Sequence, residues 1–325
     1  MKYIIFMTLL AVGCTHSSLK YDAELSQVNY PFQVQSYNFT SQNQNLTMRY
    51  MYLKKPENKK NIVLLHGKNF SGAYWETTAL WLFENGYNVV MPDQIGFGKS
   101  TKPKNYQYSF AALANNTFDL LKQLDIKNYI VVGHSMGGML ASRMALLKPK
   151  SIDKLVLINP IGLEDYLKYV EYKDVSFFYQ NELNKTPEKV KDYQKKYYYD
   201  GKWHSRYDPW VKMHKGWIQG PDWKLVAWNN ALTFDMVFTQ PVVNEFAHLK
   251  VPTRLILGTR DRTGPGRGWK KPNVSYKLGQ YQDLGDKAVK LLPKAKLYKI
   301  NNIGHMPHIE NFELFITNFK KALKE

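Results

Sequence analysis

VVGHSMGGML, residues 131 to 140, joins a run of β-branched residues typical of a buried strand to a glycine-rich turn and helix-forming residues. It contains the pentapeptide G-x-S-x-G, from Gly133 to Gly137, a pattern that is informative at such a strand-to-helix junction. Side chains at the two glycine positions would collide with the neighbouring strand and helix. The sequence therefore predicts a sharp turn that exposes the Ser135 hydroxyl as a nucleophile. The helix that begins at Met136 points its N-terminal amides toward this site, where they favour negative charge.

Short apolar runs without alternation recur on both sides of this stretch, as is typical of strands covered on both faces. Amphipathic segments long enough for helices separate the earlier runs, and two alternating segments around SQNQN (41–45) predict an antiparallel hairpin. We therefore expect an α/β fold with a doubly wound, mostly parallel sheet, entered by this hairpin. The six runs are NIVLLHG (61–67), YNVVMPD (87–93), YIVVGHS (129–135), KLVLINP (154–160), TRLILGT (253–259) and KLYKINN (296–302).

The alternation of strands and helices stops between residues 161 and 249, where polar and aromatic helical material contains no strand candidate. We interpret 161–249 as an inserted helical cap, or lid, on a core formed by residues 31–160 and 250–325. The tryptophans of this segment either pack the cap itself, seat it on a membrane or line an apolar pocket; our hypothesis is that at least one reaches the pocket. They are Trp203, Trp210, Trp217, Trp223 and Trp228.

A serine hydroxyl is a poor nucleophile unless a base takes its proton, so a histidine is required near Ser135. His305 is the best placed of the eight histidines, because it lies on the loop after the last predicted strand. Loops at the carboxyl ends of parallel strands converge on one crevice, which would bring His305 to the serine. His308 is its nearest rival, but it belongs to the approach to the next helix.

The histidine in turn needs an acid that orients it. Asp261 follows the penultimate predicted strand and is expected at the same edge of the sheet. Its rivals are Glu164 and Asp165, which follow the KLVLINP run, and its alternative role is an ion pair with a neighbouring arginine. The resulting order of serine, acid and histidine is the one that this topology requires.

Acyl transfer also needs two N–H donors for the developing oxyanion. One is expected from Met136, and the other from the loop after the first parallel strand, where we favour Lys68 and keep its neighbour Asn69 as a candidate. His66, on the same loop, is interpreted as a structural hydrogen-bonding residue.

Residues 1–13 are predicted to be a signal peptide and not a transmembrane anchor, because their apolar run is shorter than the roughly 20 residues of a spanning helix. LAVGC (10–14) resembles the lipobox of bacterial lipoproteins, which makes Cys14, the only cysteine of the chain, the expected lipidation site. Residues 14–30 are then a lipidated tether. The expected location is a bacterial cell envelope, as an exported, membrane-anchored lipoprotein, with the periplasmic side favoured. The alternative is a signal peptide without lipidation, or an uncleaved apolar segment, in which the Cys14 thiol has no function.

The formal net charge of +18 does not by itself indicate nucleic-acid binding, because the lysines are scattered and no recognition motif stands out. A basic surface would add attraction between the anchored protein and anionic headgroups. General lysine enrichment explains the charge equally well. We expect a membrane surface, reached through the lipid anchor, and no nucleic acid among the partners.

Taken together, five ordered motifs between Asn61 and Glu325 resemble the α/β-hydrolase superfamily, in its lid-bearing esterase, lactonase and C–C hydrolase branch. The resemblance implies no metal and no organic cofactor, and it makes the MPDQIGFGKS loop structural. The chain departs from compact members by its lid and by an insertion, residues 262–285. The motifs are LLHGKNFSG (64–72), MPDQIGFGKS (91–100), VVGHSMGG (131–138), LILGTRDRT (255–263) and GHMPHIE (304–310).

The function expected from these residues is hydrolysis of carboxylic esters of small apolar or aromatic molecules through an acyl-enzyme on Ser135, His305 and Asp261. Cleavage of a C–C bond, acyl transfer and perhydrolysis on the same triad stay open, because the triad alone does not distinguish them. An exported location favours esters over ring-cleavage products. A binding protein of another class, lipid-anchored and without chemistry, is the remaining alternative.

Overall fold

Within residues 19–325, the part of the chain that the computed structural model describes, eight strands form one sheet. The predicted signal peptide and Cys14 lie outside the described residues. The strands are β1 (Val34–Ser41), β2 (Gln44–Leu53), β3 (Lys60–Leu65), β4 (Tyr87–Pro92), β5 (Tyr129–His134), β6 (Ile152–Ile158), β7 (Thr253–Gly258) and β8 (Ala295–Ile300).

The strand order is β1-β2-β4-β3-β5-β6-β7-β8. The pairs β1–β2 and β2–β4 are antiparallel, and every other pair is parallel. Gln42 and Asn43, both with positive φ (51° and 58°), form the two-residue hairpin turn between β1 and β2, as a twisted hairpin favours. The prediction of a mostly parallel sheet entered by a hairpin is confirmed.

Helices cover both faces of the sheet. In β3, Val63 and Leu65 belong to one buried cluster and Ile62 and Leu64 to another, so successive side chains enter opposite cores. The first cluster includes residues of α2, α3 and α8, and the second those of α1 and α10. These helices are α1 (Glu76–Glu84), α2 (Phe110–Gln123), α3 (Met136–Leu147), α8 (Tyr281–Leu291) and α10 (Phe312–Lys324), with the short α9 (Pro307–Glu310) before the last.

The segment between β6 and β7, interpreted above as a cap, contains four α-helices: α4 (Val175–Leu183), α5 (Pro187–Tyr197), α6 (Asp208–Ile218) and α7 (Trp223–Thr239). Helix α4 packs against α7, and α5 packs against α6. Two N-caps explain the starts of α4 and α5: the Asp174 carboxylate accepts from Phe177 N–H, and the Thr186 hydroxyl accepts from Lys189 N–H.

The end of the predicted tether is packed on the fold: residues 21–30 contact α6 and the start of α7. Tyr21 N–H donates to Gly216 O (2.9 Å), and Ala23 N–H donates to a carboxylate oxygen of Asp222 (2.9 Å). Leu25 is completely buried. The contacts use backbone groups and single apolar side chains, which leave no periodic pattern in the sequence.

Across residues 19–325, no helix combines the length and the apolar character needed to cross a membrane.

Candidate active site

Ser135 stands between β5 and α3 with φ 56° and ψ −121°, a backbone conformation that is strained for a residue with a side chain. The flanking glycines make the turn sterically feasible. A Cβ at Gly133 would lie 2.1 Å from the carbonyl oxygen of Gly137 in α3, and a Cβ at Gly137 would lie 2.3 Å from that of Leu65 in β3. The first turn of α3 thus lies in backbone contact with the end of β5 and with β3, where neither glycine leaves room for a side chain.

His305 and Asp261 form a buried pair at the same edge of the sheet. A hydrogen bond joins His305 Nδ1 to Asp261 Oδ2, which are 2.6 Å apart, and both residues are completely buried. A carboxylate accepts, so Nδ1 carries the proton that it donates, and Nε2 is the nitrogen left to exchange one. Within residues 19–325, Nε2 has no hydrogen-bond partner.

Two further groups hold the Asp261 carboxylate. Asn159 Nδ2 donates to Oδ2 (2.8 Å), and Thr263 N–H donates to Oδ1 (2.7 Å). Asn159 itself is fixed because its Oδ1 accepts from Gly258 N–H at the end of β7 (3.0 Å). The sequence analysis missed Asn159, although its place directly after β6 is the signal that would have found it, since β5, β7 and β8 carry the other site residues at the same edge.

The rival acids lie in other interactions. Both carboxylate oxygens of Glu164 accept from Gly279 N–H (3.3 and 3.1 Å). Asp165 pairs with Lys168 (3.7 Å) and accepts from Asn244. Neither replaces Asp261 beside the histidine.

The rival histidine, His308, is packed among aromatic rings. It stacks on Trp75 with ring centroids 4.5 Å apart and meets the edge of Tyr74 at 4.9 Å. Burial, aided by His305, lowers the pKa of His308 to about 3. Neither of its ring nitrogens has a hydrogen-bond partner in the described residues, so it serves as an uncharged packing group.

The loop after β3 runs directly beside the nucleophile turn: a Cβ at Gly67 would lie 3.0 Å from Ser135 Cβ. Lys68 and Asn69, the predicted oxyanion donors of this loop, both line the cavity at Ser135. Asn69 has φ 67°, so the loop turns sharply here. Met136 is the first residue of α3, and its N–H therefore has no partner inside the helix.

A buried hydrogen-bond chain ties this loop to the serine and histidine loops. Gly67 N–H donates to Tyr74 Oη (2.8 Å), Tyr74 Oη lies 3.0 Å from His134 Nδ1, and His134 Nε2 lies 2.8 Å from the His305 carbonyl oxygen. The carbonyl can only accept, so His134 carries its proton on Nε2 and Nδ1 accepts from the tyrosine. Burial, reinforced by His305, holds the pKa of His134 well below its ordinary value, which keeps the ring neutral. We call this the Tyr74–His134 chain.

His66 occupies the position expected of a structural residue. Its Nε2 accepts from Gln94 N–H (3.0 Å), and Nδ1 therefore donates to Gly67 O (2.8 Å). Burial lowers its pKa, so the ring is neutral and both nitrogens are satisfied.

Ser135 opens into a cavity of about 340 Å³, a size typical of small-molecule sites. The cap tryptophan hypothesis is wrong: in the described chain, none of the five lines this cavity. Trp210, for instance, packs on Phe70 and Tyr74 instead. The tryptophan that does line the cavity is Trp269, from the insertion after Asp261. The apolar and aromatic lining residues are Phe70, Ile161, Phe178, Val190, Tyr193, Tyr198, Phe234, Pro265 and Trp269.

Among residues 19–325, no group of three or more His, Cys, Asp or Glu side chains is arranged to hold a metal ion. Ser135, Asp261 and His305 follow β5, β7 and β8, at one edge of the sheet.

Comparison with known proteins gives the same picture at the level of the family. A family model described as alpha/beta hydrolase fold matches residues 60–312. The structure is similar to that of a probable hydrolytic enzyme from Pseudomonas aeruginosa PAO1, with a TM-score of 0.92 and 42% identity, covering 94% of this chain and 99% of that one.

Curated relatives match over shorter stretches. An uncharacterized hydrolase of Bacillus subtilis, YugF, is 33% identical over 110 residues, 34% of this chain and 39% of its own length. An uncharacterized protein of Mycobacterium tuberculosis is 38% identical over 102 residues, which are 31% of this chain and 29% of that protein. The chain thus spans well under half the length of these relatives.

Proposed function

The chain belongs to the alpha/beta hydrolase fold family and is a hydrolase of that fold, and we propose that it is a serine hydrolase that cleaves carboxylic esters of apolar or aromatic substrates through an acyl-enzyme. One observation carries the proposal. The buried His305–Asp261 pair lies at the sheet edge where Ser135 opens from a strained turn into a largely apolar cavity.

In the proposed first step, His305 Nε2 takes the proton of the Ser135 hydroxyl while the oxygen attacks the ester carbonyl. Asp261 accepts the Nδ1–H hydrogen bond and stabilises the imidazolium that forms. The backbone N–H groups of Met136 and of Lys68 or Asn69 hold the oxyanion, each such donor contributing about a hundredfold to a thousandfold in rate.

Collapse of the tetrahedral intermediate breaks the bond to the alcohol, which leaves with the proton from His305. Water then attacks the acyl-enzyme, with His305 again as the base, and releases the acid and the free serine. Asn159 and Thr263 N–H hold the Asp261 carboxylate in its orientation throughout, because each donates a hydrogen bond to one of its oxygens.

The test is covalent labelling of the purified protein by a fluorophosphonate probe, which reacts with activated serines. We expect labelling of the wild type and none of Ser135→Ala. Ser142→Ala is the matched control, because Ser142 is a buried serine of α3 whose hydroxyl donates only to Gly138 O. Labelling that persists in Ser135→Ala, or its absence from folded wild-type protein, would contradict the proposal.

A p-nitrophenyl ester series of increasing acyl length then measures how the cavity accommodates the substrate. We expect kcat/KM to rise with chain length while the apolar chain fits the cavity of about 340 Å³ and to fall once it does not. A flat profile with wild-type labelling would mean that esters are not the substrate class.

We also propose that the chain is exported and lipidated at Cys14, which rests on the LAVGC motif alone. Globomycin-sensitive processing of a tagged precursor is the expected result. Unchanged processing of a Cys14→Ser variant would contradict it.

A further inference from the structure

We propose that the cavity beside Ser135 selects esters that carry a negatively charged group, and that the Lys68 ammonium recognises that charge. The inference rests on the proposed function, because it names the substrate class of the same site. Its chemistry is that of an anion held by an ammonium in a largely apolar pocket.

Lys68 places its charge on the cavity wall. Its Nζ donates to Asn230 O (2.8 Å) and Asn69 Oδ1 (3.3 Å) and lies 5.1 Å from the centroid of the Phe234 ring. Asn69 and Phe234 line the same cavity. The ammonium thus donates two of the three hydrogen bonds that it can make. Both acceptors are neutral, so neither supplies a counter-charge.

The carboxylate whose charge acts on Lys68 already forms an ion pair with another lysine. Glu182 is buried and forms its ion pair with Lys185 (2.6 Å), while its other oxygen accepts from Asn230 Nδ2 (3.4 Å). Within the described residues, no ion pair joins Lys68 to Glu182 or to another carboxylate.

The cavity lining therefore has an excess of positive charge. Three lysines, Lys68, Lys185 and Lys189, face one glutamate, and no other acidic residue of the described chain lines the cavity. A half-buried ammonium without an ion-pair partner loses part of its hydration and gains no counter-charge in return. An anionic substituent of the substrate would supply that counter-charge, with the field of the two other lysines in the same direction.

The surroundings of Lys68 also shift its pKa. Burial lowers the pKa of Lys68 to about 7, although the charge of Glu182 opposes the shift, so the side chain changes its protonation near neutral pH. The charged groups around it are Glu182 and Lys185 at the end of α4, and Lys189 on α5. His214 on α6 is neutral in this range, because burial lowers its pKa to about 4.

The competing explanation is purely structural. The bond from Lys68 Nζ to Asn230 O joins a core loop to helix α7, so the side chain would serve to hold the cap in place. A structural bond affects neutral and charged substrates equally, whereas charge recognition changes their ratio. That ratio is the quantity to measure.

The experiment compares two p-nitrophenyl esters of adipic acid that differ only at the far end, which is a free carboxylate in one and a methyl ester in the other. Adipate is preferred to shorter diacids, whose free carboxylates cleave the ester by forming five- or six-membered cyclic anhydrides. The ratio of kcat/KM for the two esters cancels the common chemistry at Ser135 and His305. We expect the wild type to favour the carboxylate.

Lys68→Met is expected to lower that ratio about tenfold or more, the effect of losing a hydrogen bond to a charged group. Lys195→Met is the matched control: it removes the same charge from exposed α5 but does not line the cavity, and we expect the ratio to stay within about twofold of wild type. Glu182→Gln keeps an acceptor for Asn230 and frees Lys185, so the ratio should rise when it is measured at a pH low enough to keep Lys68 protonated. This last variant keeps the test decisive if Lys68→Met fails to fold.

The wild-type ratio should also fall as the pH rises from 6 to 9, because Lys68 loses its proton, and the Lys68→Met ratio should not. A third ester with a phosphate at the far end distinguishes a carboxylate substrate from a phosphate-bearing one. Equal turnover of the adipate pair by the wild type, or an unchanged ratio in Lys68→Met, would overturn the inference while leaving the serine hydrolase intact.

Charge preference can also be measured without turnover. Titration calorimetry of Ser135→Ala with monomethyl adipate and dimethyl adipate should show tighter binding of the monoanion, and Lys68→Met in that background should abolish the difference. Equal binding would contradict the inference. Failure of fluorophosphonate labelling would instead contradict the proposed hydrolase, so the two failures are distinguishable.

Discussion

Tyr74→Phe is the substitution that isolates the Tyr74–His134 chain. The hydroxyl accepts from Gly67 N–H and donates to His134 Nδ1, and both of those groups are buried. The phenylalanine ring keeps the aromatic contacts with Phe70 and Trp75. The change therefore removes two hydrogen bonds with very little loss of packing.

The expected cost follows from the groups left behind. A buried donor or acceptor without a partner costs about 1–3 kcal/mol, and this variant leaves one of each. We expect the free energy of unfolding to fall by about 2–6 kcal/mol. The rate of fluorophosphonate labelling should also fall, since Gly67 adjoins the predicted oxyanion donor Lys68 and His134 bonds to the backbone of His305.

Urea denaturation with linear extrapolation measures the stability, and the labelling time course measures the site. Tyr129→Phe is the matched control, because Tyr129 is a buried tyrosine of β5 whose hydroxyl has no partner within residues 19–325. Its loss should leave stability unchanged or slightly higher. A Tyr74→Phe variant within about 0.5 kcal/mol of wild type, the range of neutral substitutions, would refute the reasoning that the chain ties the three loops together.

Two further changes test the nucleophile turn and the choice of acid. Gly137→Ala places a Cβ 2.3 Å from Leu65 O and should cost about 1–3 kcal/mol and slow labelling, whereas Gly268→Ala, whose Cβ would meet nothing within 4 Å, should be neutral in the same denaturation assay. Glu164→Gln should leave ester turnover unchanged. Burial raises the pKa of Glu164 in the folded state, so its ionisation destabilises the fold as the pH rises. The stability gained by Glu164→Gln should therefore be larger at pH 7 than at pH 4. An equal gain at both pH values would contradict the raised pKa of Glu164.

The parts of the fold that follow from local pattern were predictable from the sequence. Buried parallel strands favour apolar runs, and each of the six predicted runs overlaps one of the strands β3 to β8. The turn at Ser135 was predictable for the same reason, because the collision that demands glycine at 133 and 137 lies within one strand–turn–helix unit and its neighbour. Asp261 and His305 could be chosen because strand order brings loop ends together.

What the sequence did not reveal depends on partners far along the chain. Ala23 bonds to Asp222, 199 residues away, and Asn159 to Asp261, 102 residues away. Neither contact leaves a periodic or compositional trace, since each uses one polar group. The cap tryptophans misled for a related reason: a large aromatic residue is equally suited to a pocket and to packing, and only the position of Trp269 in the fold distinguishes the two.

The site therefore has two parts with different origins. Ser135, Asp261 and His305 stand on loops of the core, while most of the cavity wall comes from the cap and the insertion, joined by Lys68, Asn69 and Phe70 of the core loop after β3. The two parts meet at α7, where Tyr108 Oη donates to Asn229 Oδ1 (2.6 Å) and Lys68 Nζ donates to Asn230 O. A change at Lys68 alters the charge of the cavity and the attachment of α7 together. Glu182→Gln changes the charge and keeps an acceptor for Asn230 Nδ2 of α7, and for that reason a shift in substrate preference caused by this variant is the stronger evidence for recognition of an anion.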